Sequence, residues 1–391
     1  MFKLIKNTDI YTPSPIGRMD ILICNDKIIK IAQDIEFPTG ILHTEVIDGT
    51  DYIAVPGFID QHVHFLGGGG EGGPATRTPE IKLTDLTTAG ITTALGLLGT
   101  DGVTRSMEGL LVKARALEVE GITTYIYSGS YAIPIKTITG CIKSDIIIID
   151  KVIGSGEVAI SDHRSAQPNL DDLKKLAAES RVGGILAGKC GIVHVHLGDG
   201  AEGIKPIMEI ATKTEIPIKQ FMPTHINRIN HLIEQSLDHL KMGGYVDLTS
   251  DFSKTEENPH IYSIADALKL YKDNNINLSG VCASSDSNGS IPSFDSEGNF
   301  VKIGVATPAA LFRDVKKAIT DNIVSLEEGI SIITQNPAKA LKLYPNKGSL
   351  QEKSDADIVL LDKSLNIDTV IAKGQIMVRQ GNAIVKGYFE R

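Results

Sequence analysis

The chain has 391 residues, of which 42% are hydrophobic and 22% charged, and it carries a formal net charge of −9. That acidity, with no Lys/Arg cluster, excludes a general nucleic-acid binder, and no apolar run reaches the ~18 residues a membrane span needs. Cys24, Cys141, Cys190 and Cys282 lie far apart in mostly apolar surroundings, a pattern of buried free thiols suited to a reducing cytoplasm.

In chain order, Met1-Phe2-Lys3-Leu4-Ile5-Lys6 lacks the continuous apolar core of a secretion signal and reads as a strand. Residues 21–24, the turn Asn25-Asp26 and residues 27–31 follow as a hairpin. The middle then alternates strand and helix. Strands are expected over 55–59, 91–98, 123–127, the run through 158–160, 191–195, 216–222, 245–248 and 278–282. Helical patterns such as 106–120, 170–179 and 230–242 separate them. The C-terminal stretch returns to strands over 357–361, 376–378 and 383–385. Eight βα repeats in roughly 290 residues indicate a (β/α)8 TIM barrel over 56–345, with its active site at the strand C-terminal ends. The two β-rich ends, 1–55 and 346–391, pair into one small β-sandwich domain, so the fold class is α/β.

Residues that bind metals fall where such a barrel builds its site. The apolar run Gly57-Phe58-Ile59-Asp60-Gln61-His62-Val63-His64 ends in His-x-His, and strand alternation puts both imidazoles on one face. Glu157 lies on the fourth strand. In Ile192-Val193-His194-Val195-His196 the fifth strand places His194 and His196 on one face, with His196 at its end. His225 ends the sixth strand and Asp286 the eighth. Any one of these alone is ordinarily a cap or a satisfied polar group, but four histidines and two carboxylates at successive strand ends form a ligand set. Neutral imidazoles with bridging carboxylates suit Zn2+ first, with Mn2+, Co2+ or Fe2+ also possible. Six ligands suffice for two ions sharing a bridge. Such ions acidify a shared water and polarise a carbonyl, and Asp286 can take the proton and return it to a leaving amine. That chemistry is amide or ester hydrolysis.

In order and spacing, His62-x-His64, the fourth-strand bridge, His196, His225 and Asp286 resemble the metal-dependent amidohydrolase superfamily. The likeness extends to the bacterial isoaspartyl dipeptidases (β-aspartyl peptidases). It is carried by Gly67-Gly68-Gly69-Gly70-Glu71, Gly96-Leu97-Leu98-Gly99-Thr100, Ile160-Ser161-Asp162-His163-Arg164-Ser165, Pro223-Thr224-His225-Ile226-Asn227-Arg228 and Ser284-Ser285-Asp286-Ser287-Asn288-Gly289-Ser290. It runs over nearly the whole chain. One departure stands out: members of that family place a carboxylated lysine on strand 4, and here the position is Glu157. Glutamate can bridge two cations without modification. The preferred expectation is two Zn2+ per subunit bridged by Glu157, and the rival is a single metal or an impaired enzyme.

The rest of the expected site is charged at both ends. Glu71 follows a glycine-rich stretch that lets backbone approach a ligand, and Arg164 and Arg228 suit carboxylates through paired hydrogen bonds. A pocket with one carboxylate and two guanidiniums fits a small zwitterion. The resemblance implies an isoaspartyl dipeptide such as β-Asp-Leu, its amine on Glu71 and its carboxylates on Arg164 and Arg228. It further implies that Gly69, Gly70, Thr100 and Ser290 complete the grip and that Tyr131 polarises the scissile carbonyl. The catalytic set is then Asp286, Tyr131 and Glu71. A homo-oligomer, an octamer by the same resemblance, is expected. The alternatives are a cyclic-amide hydrolase of the dihydroorotase or hydantoinase kind, and a non-catalytic scaffold on the same fold.

Overall fold

A computed structural model describes residues 2–37, 44–253, 260–294 and 300–390. The chain opens with β1 (Phe2–Tyr11), β2 (Pro15–Cys24), β3 (Lys27–Ala32), β4 (Thr44–Asp48) and β5 (Ile53–Pro56). Asn25, in the β2–β3 turn, takes the left-handed conformation at φ 52° that asparagine tolerates. The barrel strands follow as β6 (Phe58–Val63), β7 (Ile91–Gly96), β8 (Thr123–Ser128), β9 (Val152–Ile160), β10 (Ile192–Leu197), β11 (Phe221–Thr224), β12 (Val246–Thr249) and β13 (Val281–Ser284). A hairpin, β14 (Ser290–Phe294) and β15 (Phe300–Val305), comes next, and β16 (Ile358–Leu361), β17 (Ile367–Ala372), β18 (Gln375–Arg379) and β19 (Asn382–Ala383) close the chain.

Strands from both ends form one sheet of nine, ordered β19-β18-β17-β16-β5-β1-β2-β3 with β4 also on β1. The central seam pairs β16 against β5, Ile358 opposite Pro56. Ile5, Ile21, Ile23, Ile358 and Ile371 fill the core on one face of this sheet. β6 to β11 lie side by side in chain order, and β12 and β13 form a parallel pair. All residues of these eight strands are buried except half-buried Tyr125, which is why they read as nearly continuous apolar runs.

Buried side chains close the barrel where backbone pairing is interrupted. Asp247 on β12 accepts from Thr224 Oγ1 of β11 at 2.7 Å, Gln61 Nε2 of β6 at 2.7 Å and Ser284 Oγ of β13 at 2.6 Å. At the other seam Asp60 accepts from Ser285 N at 3.1 Å, and His64 N donates to Ser287 O at 2.9 Å. Burial pushes the Asp60 carboxyl up to about 6 against the pull of the Ser285 hydrogen bonds.

Three expected strands shift for local reasons. The strand over 55–59 divides at Gly57, leaving Val55 in the terminal sheet and Phe58 in the barrel. A Cβ at Gly57 would stand 2.2 Å from Thr92 Oγ1, so glycine alone lets the chain cross between sheets here. The strands over 216–222 and 278–282 start late, at Phe221 and Val281, after single 3-10 turns. Pro217 precedes the first turn, and the Asn277 side chain holds the second by accepting from Ser279 N at 2.8 Å. The helix begun at Leu170 by an Asn169/Asp172 capping box runs on to Ala187, stopping at left-handed Gly188.

Lys347 fastens the terminal sheet to the barrel floor. Its buried Nζ lies 2.5 Å from Asp357, 2.8 Å from Asp355 and 2.6 Å from Thr123 Oγ1 at the start of β8. Burial would lower this ammonium, but the two carboxylates hold it above its ordinary value. Lys347→Met leaves Asp357 buried without its counter-charge, holding only the bond from Lys373 N at 2.7 Å, and breaking a buried pair in this way costs about 3–5 kcal/mol. Urea unfolding followed by circular dichroism is expected to show a correspondingly lower midpoint, with the same stoichiometry of bound metal.

Candidate metal centre and substrate cavity

The geometry at the barrel mouth follows from how each strand ends. His62 lies on β6 and His64 just beyond it, their rings 5.4 Å apart. His225, the first residue after β11, is left-handed at φ 63°, and Asp286, two residues after β13, at φ 54°. Those turns stop the strands and swing both side chains over the barrel. Gly289 makes the second turn possible, since a Cβ there would stand 2.3 Å from Asp286 Oδ1. Glu157 owes its place to a β-bulge. Pairing of β9 with β10 passes from Ser155↔Val193 to Val158↔Val195, so Gly156 and Glu157 together oppose His194. Bulges re-aim a side chain, and Gly156, at φ 143°, has no room for a Cβ, which would lie 2.6 Å from His194 O.

Glu157 is the meeting point of two clusters. Its Oε1 lies 2.7 Å from His196 Nδ1 and 3.2 Å from His225 Nε2, and its Oε2 is 3.5 Å from His62 Nε2. Asp286 Oδ1 is 3.1 Å from His64 Nε2 and 3.3 Å from His62 Nε2. Donor atoms of His62, His64 and Glu157 gather within 4.8 Å of one another, as do those of Glu157, His196 and His225, and those of His62, His225 and Asp286. His62 Nε2 and Glu157 Oε2 are buried without a hydrogen-bond partner. Burial would raise Glu157, but His62 and His196 hold it well below the usual carboxylate range; Asp286 is lowered likewise, mainly by His62. Burial brings His225 down to about 3. Ionised carboxylates among histidine imidazoles, with orphaned donor atoms aimed inward, are a donor set that fits divalent cations.

His194 lies one layer deeper than His196 and serves the centre indirectly. Its Nε2 is 2.8 Å from His62 Nδ1, and its ring stacks on Tyr127 at 4.9 Å. Fixing the far nitrogen of a ligand imidazole sets its tautomer and orientation.

Above the centre opens a cavity of about 650 Å3. His64, Glu157, His196, His225 and Asp286 reach it from below, while His62 is sealed behind them. Gly69, Glu71, Thr100, Tyr131, Arg164, Arg228 and Ser290 line its walls; Gly70 stands just outside that lining. Glu71 Oε1 accepts from Ser290 Oγ at 3.0 Å and lies 3.6 Å from Arg164 Nη1, whereas Oε2 is buried with no partner. Thr100 Oγ1 is 3.4 Å from Glu71, at the edge of hydrogen bonding. Tyr131 Oη stands 2.9 Å from His196 Nδ1, and Arg228 Nη1 3.3 Å from His196 Nε2. Burial, reinforced by Glu157, pushes the Tyr131 phenol well above its usual value, so it remains a donor.

Asp162 also belongs to the site, although nothing in its spacing singled it out. Its Oδ2 lies 2.9 Å from His196 Nε2, and it grips Arg164 through Nε at 3.0 Å and Nη2 at 2.8 Å. Its signal in the sequence is its place two residues before Arg164, which lets the side chain fold back on the same turn.

Residues 53–377 match the model of the amidohydrolase family. Over 98% of its length the chain is 43% identical to a β-aspartyl dipeptidase of Fervidobacterium islandicum AW-1 solved in complex with β-Asp-Leu, covering 97% of that chain at a TM-score of 0.92. The chain belongs to the amidohydrolase family, in its β-aspartyl dipeptidase branch. A second structure of a β-aspartyl dipeptidase from that organism matches at 41% identity over 98% of both chains, TM-score 0.89. A D-hydantoinase at 17% identity and TM-score 0.70 shares the fold alone. A curated dihydroorotase of Clostridium acetobutylicum is 34% identical over 125 residues, 30% of this chain and 27% of that one, and one of Listeria monocytogenes is 24% identical over 95% of this chain and 92% of that one. The matched span includes the histidine and carboxylate groups around Glu157 and the loops that carry Glu71, Tyr131 and Arg228.

Proposed function

We infer that this chain hydrolyses the β-aspartyl peptide bond of isoaspartyl dipeptides. The observation that carries this reading is the full-length likeness to the dipeptidase solved with β-Asp-Leu. The cavity fits such a zwitterion. The unpartnered Oε2 of Glu71 takes the free α-amino group, and Arg164 and Arg228 take carboxylates through charge-assisted bonds.

His62, His64, Glu157, His196, His225 and Asp286 would hold the metal, two Zn2+ per subunit with Glu157 shared between them. Divalent cations, when bound, polarise the scissile carbonyl and acidify water. Asp286, held ionised, accepts the proton of the attacking water at a carboxylate oxygen and delivers it to the leaving amine nitrogen. Tyr131 Oη donates to the carbonyl oxygen as negative charge develops there. Arg164, held by Asp162, and Arg228 orient the substrate so that its β-carbonyl, not its α-carboxylate, faces Asp286. Metal analysis of the purified protein reports which ion is present, with Mn2+, Co2+ and Fe2+ the other candidates.

The unit boundaries 1–55 with 346–391 and 56–345 belong to this reading, as do assembly into a homo-oligomer and a cytoplasmic location. The latter is supported by four cysteines that are all free thiols. Among the described residues no helix is long and apolar enough to cross a membrane.

Release of leucine from β-Asp-Leu against α-Asp-Leu tests the activity, with dihydroorotate as control. We expect turnover of the β-linked dipeptide only; equal rates on the two dipeptides, or turnover of dihydroorotate alone, would refute the reading. Glu71→Gln is expected to raise KM for β-Asp-Leu at least about tenfold, the scale of one buried charge-assisted bond. Steady-state kinetics at saturating metal measures it.

A further inference from the structure

Glycines give the stretch 67–71 its shape, but they cannot hold it there. Gly67, Gly69 and Gly70 sit at φ 75°, 77° and 116°. A Cβ on Gly67 would meet Thr78 O at 2.3 Å, and one on Gly69 would meet Thr76 O at 2.3 Å. Gly68 O accepts from Thr78 N at 3.0 Å and Gly70 O from Gly73 N at 2.9 Å, but the stretch lies outside the named strands and helices, and glycine adds conformational freedom that further contacts must restrain.

One buried side chain adds to that restraint from the helix side. Arg105 is 5% exposed and sits immediately before Ser106, the residue that caps the helix Met107–Glu120. Its guanidinium donates to three carbonyls of the stretch in turn: Nε to Leu66 O at 3.0 Å, Nη2 to Gly68 O at 2.6 Å and Nη1 to Gly69 O at 3.3 Å. Asp101 steadies the same guanidinium at 3.3 Å and is itself held by Arg77 Nη1 at 2.7 Å. The opposite side of the loop is pinned by Gly68 N donating to Thr78 Oγ1 at 2.7 Å and to Asn288 O at 2.8 Å. Glu71, two residues after the last clamped carbonyl, faces Ser290 and the cavity. A rigid helix start thus reaches into a flexible glycine loop and fixes where its carboxylate stands.

We propose that Arg105 is a positioning residue for substrate selection: by clamping the carbonyls of Leu66, Gly68 and Gly69 it places the Glu71 carboxylate to demand a free amine on the substrate. This rests on the role given to Glu71 above. Arginine is required because its planar fork reaches several acceptors at once, which a lysine ammonium on a flexible stem cannot do in the same geometry. A role confined to stability would lower the unfolding temperature and leave the choice between substrates untouched.

The test compares β-Asp-Leu with succinyl-leucine, which is the same molecule without the amino group, in wild type, Arg105→Met, Glu71→Gln and the double variant. We expect Arg105→Met to bind wild-type metal and to raise KM for β-Asp-Leu with kcat nearly preserved. Its preference for β-Asp-Leu over succinyl-leucine should fall about tenfold, as it does in Glu71→Gln, with little further loss in the double variant because the two act through one contact. Hydrogen exchange of the 67–71 amides, read without substrate, should quicken in Arg105→Met. Should Arg105→Met not accumulate folded, Arg105→Lys carries the same measurements. Wild-type preference and unchanged exchange in the variant would overturn the proposal. A wild-type enzyme inactive on β-Asp-Leu would overturn the dipeptidase reading instead.

Discussion

Glu157→Ala is expected to purify with less than half the wild-type metal and with kcat on β-Asp-Leu lower by on the order of a thousandfold or more. The expectation follows from position. Among the described residues Glu157 is the carboxylate whose two oxygens face different groups of histidines, Oε1 toward His196 and His225 and Oε2 toward His62. Removing it leaves imidazoles facing one another at ring separations of 4.6 to 5.4 Å, with Asp286 the remaining carboxylate of the proposed ligand set. The bulge at Gly156 aims the side chain at both groups of histidines, so on the proposed reading Glu157 serves as the bridge without a carboxylated lysine. Metal per chain by mass spectrometry, beside kcat, separates the possibilities. A metal-poor, inactive variant supports the bridge, full metal with full activity sinks it, and a wild type binding one ion per chain favours the single-metal alternative.

The histidines were readable because their signal is local. His62, His64, His196 and His225 each lie at or just past the end of an apolar strand, and strand period plus strand end decides where such a side chain points. The eightfold alternation was readable for the same reason, since parallel barrel strands are buried on both faces. Gly57 shows where that logic stops: Val55, on one side of it, pairs with the distant Val359 in the terminal sheet, while Phe58 on the other enters the barrel. The residues that went unassigned all act across long separations. Asp247 gathers Gln61, Thr224 and Ser284 from three other strands, and no spacing along the chain announces such a hub. Asp162 stood in plain view beside Arg164, yet only the fold brings it to His196. Arg105 lies 34 positions from Glu71, on the far side of β7, so its hold on the glycine loop has no sequence signature. Strand-end chemistry is therefore legible early, whereas the groups that orient it emerge only when strands are laid side by side.

Asp286→Asn is expected to keep most of its metal while losing about a thousandfold or more in kcat, within the range for deleting a general base. The substitution preserves shape and one carbonyl oxygen, so His62 and His64 keep a partner at the position now 3.3 and 3.1 Å away. What it removes is the capacity to hold a proton. The carboxyl is kept ionised by His62 and His64 in spite of its burial, and the ionised form is the one that can accept a proton from water and pass it on. An amide can do neither. The left-handed turn at Asp286, made possible by Gly289, suits asparagine as well as aspartate, so the fold should survive and the loss should appear in kcat more than in KM. Paired metal analysis and steady-state kinetics decide the matter. Retained metal with collapsed kcat assigns the proton transfer to this carboxylate; kcat within about threefold of wild type would mean that another group performs it.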